Sequence, residues 1–138
     1  MKTGFAKKAA RIILVVLLAL IWTQAPAAEM TDQEIRDYLV AKSPFKGYWS
    51  SGHPWSGTLA QRFWVKDEQF EGALTEWNYD TQRGMDYSGP ALNLVVKDGR
   101  ISFSTKDGVK FDMEVKKGEL VGTAFRTQYS KIKLSPAN

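Results

Sequence analysis

Between residues 109 and 116 the chain alternates strictly, with Val109, Phe111, Met113 and Val115 apolar and Lys110, Asp112, Glu114 and Lys116 charged between them. A period of two sends successive side chains to opposite faces of a β-strand, so this segment reads as a strand with one wet face. Turn dipeptides recur at Asp98-Gly99, Asp107-Gly108 and Lys117-Gly118, nine and ten residues apart, the spacing of consecutive antiparallel hairpins. Extending the pattern predicts eight strands, at residues 47–51, 56–66, 69–77, 91–97, 100–105, 109–116, 119–126 and 129–135. Upstream the period lengthens. Ile35, Tyr38 and Leu39 form one apolar stripe, and Thr31 and Glu34 stand at capping-box spacing, which predicts a short helix that stops before Pro44.

Short connections and one apolar face per strand predict an all-β fold: a single up-and-down antiparallel barrel of about eight strands with a short N-terminal helix. The alternative is a β-sandwich of the same strands, because alternation does not reveal whether a sheet closes or splits into two layers. No internal repeat or second domain interrupts residues 28–138, which are expected to form one domain.

Successive connections of an up-and-down barrel alternate between its ends. The first connection, Gly52 to Trp55, the third, Asn78 to Pro90, and the fifth, at Asp107-Gly108, are therefore expected at one end. The tight even turns at Asp67-Glu68, Asp98-Gly99 and Lys117-Gly118 belong at the other, where the helix enters and can cover the base.

Residues 1–27 read differently. Lys2, Lys7, Lys8 and Arg11 precede an 11-residue apolar run, Ile12 to Trp22, and Ala25-Pro26-Ala27 supplies small residues for cleavage. This is the pattern of a secretory signal peptide, and a spanning helix would need roughly 20 apolar residues. The expectation is a periplasmic or secreted protein with no stable membrane anchor after cleavage. Loss of those four cations takes the 19 basic residues to 15, equal to the 15 acidic ones, all of which lie at Glu29 or later. The apparent basicity belongs to the leader, so nucleic acid is not an expected partner. The chain has no cysteine, and its core must hold without disulfides.

At Gly47-Tyr48-Trp49 a G-x-W pattern opens the first strand, after a short helix and before an antiparallel meander. In this the chain resembles the calycin group, the lipocalin- and avidin-like small barrels. The resemblance implies a ligand-binding barrel with Trp49 packed at the closed base beside Arg126. It implies no particular ligand; the lipocalin T-D-x-Y motif is not evident, and no biotin-contacting residues can be placed on this sequence.

Two candidate sites follow. The long-loop end gathers His53, Trp55, Tyr79, Asp80, Arg83, Asp86 and Tyr87, and a long connection among tight turns is more often functional than accidental. The barrel interior offers Phe63, Leu94, Phe103, Phe111 and Met113, with Val65, Phe70, Leu74, Leu92 and Ile101 also expected inward. Gln61, Glu76 and Arg126 share that alternation, and a polar group that turns inward needs a partner or a ligand. One histidine and no cysteine argue against a zinc centre, and no cofactor is expected. His53 as a general base oriented by Asp80 or Asp86, or those two carboxylates as an acid/base pair on a glycan, are the arrangements that suggest catalysis, and no enzymatic activity is expected from them. The expected function is that of an exported barrel binding a small apolar or aromatic ligand. The alternative is a periplasmic protein-interaction module or inhibitor with a filled barrel.

Overall fold

The structure is a computed structural model and describes residues 29–80 and 87–137. The leader-like segment lies outside the described residues.

Helix α1 (Asp32–Lys42) begins at the capping box: Glu34 N–H donates to Thr31 Oγ1 and Thr31 N–H donates to Glu34 Oε1, each at 3.1 Å. Asp32 and Glu34 in the first turn and Lys42 in the last complement the helix dipole. Ile35 and Leu39 are buried, and Ser43 ends the helix ahead of Pro44.

Nine strands follow: β1 (Phe45–Gly52), β2 (Trp55–Lys66), β3 (Gln69–Tyr79), β4 (Gly89–Pro90), β5 (Leu92–Lys97), β6 (Arg100–Ser104), β7 (Lys110–Lys116), β8 (Glu119–Phe125) and β9 (Tyr129–Pro136). Their order in the sheet is β4-β3-β2-β1-β9-β8-β7-β6-β5, and every pairing is antiparallel. The first long strand thus pairs with the last, Phe45 opposite Pro136 and Trp49 opposite Ile132, and rolls the meander into one nearly closed barrel. A single continuous sheet replaces the sandwich alternative. The ninth strand, absent from the sequence expectation, is the two-residue β4, where Pro90 has no N–H to continue a ladder.

The even turns have left-handed backbone at both central residues. Asp67 and Glu68 have φ of 50° and 64°, Asp98 and Gly99 of 52° and 78°, and Lys117 and Gly118 of 52° and 77°. Such two-residue turns match the twist of the strands they join.

Helix α1 lies against these turns and covers that end. The Asp32 carboxylate accepts from Asp98 N–H at 3.1 Å and Gly99 N–H at 3.0 Å, while Tyr38 Oη donates to the Gly118 carbonyl at 2.6 Å. Beneath the helix the barrel is filled. Phe63 meets Phe45 and Phe103 edge-on, with ring centroids 6.2 and 6.4 Å apart, and Phe103 stacks on Phe111 at 4.6 Å. Leu74, Ile101, Met113, Leu120 and Leu134 are fully buried among these rings. Close packing reaches the backbone at Gly122, where a Cβ would lie 2.1 Å from the Asp112 carbonyl oxygen.

Two bulges shift the expected alternation. Between Ala60 and Gln61 the β2–β3 register slips, Ala60 opposing Glu76 while Gln61 opposes Leu74, so Thr75 is the extra residue. Beyond it Trp77 is buried and Glu76 is half-buried, its carboxylate accepting from the Asn78 amide at 2.5 Å. Gln61 is fully buried, as its alternation suggested, and neither atom of its amide has a hydrogen-bond partner among the described residues. In β5 the register slips between Leu92 and Val95, with Asn93 at φ 55°. Leu92, expected inward, is therefore exposed, as is Val65 at the tip of β2, whereas Leu94 packs half-buried against the core.

Candidate functional site: an aromatic cleft at the long-loop end

Opposite the helix a half-open cleft of about 290 Å³ enters the barrel. Its lining comes from the odd connections and the strand ends beside them: Trp49 and Ser51 of β1, Trp55 of β2, Trp77 and Tyr79 of β3, Tyr87, Val109, Ala124, the β8–β9 turn Arg126-Thr127-Gln128, and Ser130 of β9.

The floor is a ring stack. Trp49 and Trp77 lie nearly parallel, 16° between planes and 4.5 Å between centroids, and Tyr79 meets Trp49 edge-on at 4.9 Å. The bulge at Thr75 is what turns Trp77 and Tyr79 into this position. Trp49 Nε1 donates to the Asn78 carbonyl at 2.9 Å. That bond depends on Gly57, because a Cβ there would lie 1.7 Å from the same carbonyl oxygen and 2.7 Å from the indole nitrogen. Trp77 Nε1, by contrast, is buried and makes no hydrogen bond of normal geometry among the described residues.

One wall rises from Tyr79 through Tyr87, their rings 6.4 Å apart, to Arg126. The Arg126 guanidinium lies over the Tyr87 ring, 4.8 Å from its centroid, and donates from Nη1 to the Tyr87 hydroxyl. The opposite wall carries Ser51 and Ser130, whose hydroxyls are 2.5 Å apart. Burial holds the Tyr79 phenol above its ordinary pKa of 10.0; Tyr87 reinforces the rise, and the Trp77 indole and Arg126 oppose it. The hydroxyl is accordingly protonated and neutral at physiological pH.

Trp55 differs from the other four aromatic lining residues. They are in mutual ring contact, whereas Trp55 contacts no other ring among the described residues and is 37% exposed at the mouth. It is an indole face with no partner, beside a polar lip of Thr127 and Gln128.

Of the residues that the sequence placed at this end, Trp55, Tyr79 and Tyr87 line the cleft. His53 is exposed in the β1–β2 turn and Asp80 accepts from Ser56 Oγ at 3.0 Å, both outside the lining. No His53–Asp80 hydrogen bond occurs among the described residues; the arrangements with Asp86 lie outside them. Arg83 and Asp86 lie outside the described residues. The interior candidates Phe63, Phe103, Phe111 and Met113 are buried core, Leu94 packs against them, and none lines the cleft. Trp49 and Arg126 do share one site, but at the mouth of the barrel rather than at the closed base that the calycin resemblance implies.

Sequence reasoning missed Trp77, the serines, Thr127 and Gln128. The parity rule already contained the last two, since in the eight-strand expectation the link between strands 119–126 and 129–135 is the seventh, and therefore odd, connection.

This arrangement can hold a flat molecule against indole and phenol rings and orient it with hydroxyl, amide and guanidinium groups. No protein-family model matches the chain, and neither a curated protein nor a solved structure matches it significantly.

Proposed function

We propose that this protein is an exported small-ligand-binding barrel that holds a planar, largely apolar molecule in the aromatic cleft. The observation that carries the reading is the difference in filling along the barrel: rings pack against one another beneath the helix, while five aromatic side chains border an accessible cleft of about 290 Å³ at the other end. That volume lies at the small end of the usual range for ligand sites, about 300–1,000 Å³, and suits a compact ring system. Export is supported by the basic and apolar leader pattern of residues 1–27.

The test is fluorescence titration with N-phenylnaphthylamine, a neutral planar probe excited outside the tryptophan band. The expected result is saturable enhancement with the folded protein, absent in urea, and about tenfold weaker binding by Trp55→Ala, corresponding to about 1.4 kcal/mol for one lost aromatic contact. Absence of enhancement, or equal affinity in Trp55→Ala, would overturn the proposal.

A further inference from the structure

We infer that the ligand of this cleft carries an oxyanion on its ring system, a carboxylate or sulfonate type of group, and that Arg126 is the residue that selects it. The inference rests on the proposed function and adds the charge of the ligand.

Among the described residues Arg126 is the only charged side chain in the lining. Its ion-pairing differs from that of Arg100, which meets Asp112 at 2.9 Å and Glu114 at 3.4 Å, and of Lys133, which meets Glu119 at 3.5 Å. Among the described residues no carboxylate pairs with Arg126. Asp80, at the same end of the barrel, is engaged by Ser56 instead.

Tyr87 orients the guanidinium without neutralising it. The phenol ring takes one face of the cation and the hydroxyl accepts from Nη1. A guanidinium has five N–H donors in a planar fork, so donors remain for the paired oxygens of a carboxylate or sulfonate. Cation–π contact and a neutral acceptor fix direction, and among the described residues no acid compensates the positive charge. A cationic ligand would meet that charge unfavourably. A neutral one would make no use of it.

The floor adds a second donor of the same polarity. Trp77 is 95% buried, being 5% exposed; its indole N–H acts on the Tyr79 hydroxyl but makes no hydrogen bond of normal geometry among the described residues. A buried donor so loosely accepted is costly, and an oxygen-bearing ligand is the kind of partner that lowers the cost. Trp55 supplies the free ring face against which the apolar part of such a molecule stacks.

The experiment pairs two probes with nearly the same rings: neutral N-phenylnaphthylamine and its sulfonated analogue anilinonaphthalene sulfonate. Both are titrated against the wild-type protein, Arg126→Gln and Arg126→Lys, with near-ultraviolet circular dichroism to establish that each variant is folded. Arg126→Gln should weaken sulfonate binding about tenfold more than it weakens neutral-probe binding. Arg126→Lys, which keeps the charge and loses the fork, should fall between wild type and Arg126→Gln for the sulfonate.

Equal loss for both probes in Arg126→Gln would mean that the residue only shapes the wall, and would overturn the inference. So would sulfonate binding unaffected by the substitution. Failure of the folded wild-type protein to bind either probe would overturn the proposed function and this inference with it, whereas a normal neutral-probe titration with either of the preceding outcomes would overturn the inference alone.

Discussion

The two ends of this barrel are made from the same strands and differ in what closes them. At the helix end, tight left-handed turns receive the Asp32 carboxylate and the Tyr38 hydroxyl, and the aromatic rings beneath have other rings as neighbours. At the cleft end there is no cover of that kind among the described residues, and among these Trp55 has no ring partner, the Trp77 N–H makes no hydrogen bond of normal geometry, and Arg126 meets Tyr87 and no carboxylate. One end closes its turns internally, the buried Gln61 amide opposite Phe45 being the exception among the described residues. The other leaves a set of groups that a ligand can satisfy, which is the usual division between stability and function within a domain.

The division is broken most severely by large-to-small substitutions. Phe63→Ala in the filled half should cost about 3–5 kcal/mol in urea unfolding. Trp55→Ala, at the exposed mouth, should shift the same measurement by only about 0.5 kcal/mol. Comparable losses in the two variants would mean that the cleft is part of the stabilising core.

A smaller effect tests the cover. Asp32→Ala removes the acceptor for two backbone N–H groups of the β5–β6 turn, and should lower stability by about 1 kcal/mol while leaving probe binding at the opposite end unchanged. Altered binding in that variant would show that the ends are coupled.

The smallest expected effect is alkaline. Burial raises the pKa values of Tyr79 at the cleft and Tyr38 at the cover above the ordinary 10.0. A folded-state pKa above the unfolded one gives stability that is fully present below the unfolded pKa and is lost as pH rises through the folded pKa. Urea midpoints should therefore fall as pH rises above about 10, less steeply in Tyr79→Phe or Tyr38→Phe than in wild type. Identical slopes in all three proteins would assign alkaline unfolding to other groups.

Much of the fold was legible because each hairpin announces itself. The alternation at Val109 to Lys116 and the paired turn residues define β7 and its neighbours, and Thr31 with Glu34 marks the helix start. The parity of connections then located the long-loop end without any knowledge of contacts, and brought Trp55, Tyr79 and Tyr87 to it. What alternation does not carry is a change of phase. Nothing at Thr75 signals that one extra residue turns Trp77 inward in place of Glu76, because a bulge is fixed by pairing with a strand distant in sequence. Asn93 offered a weak signal, since asparagine tolerates the left-handed backbone found there, and the slip beside it explains the exposure of Leu92. Trp49 was singled out from its motif, but its depth in the barrel depends on which end the helix covers.

The closing pairing of β1 with β9, residue 45 opposite residue 136, has a consequence for time rather than for energy. The hairpins along the meander join neighbours and can form early, but this ladder joins strands nearly the whole domain apart, and such non-local pairings slow folding. Until β9 arrives, β1 presents an unpaired edge and Phe45 and Trp49 have no finished interior to enter. The interval before closure is when the sheet is most open to pairing with another chain. In this topology the final strand therefore controls how long the chain remains vulnerable.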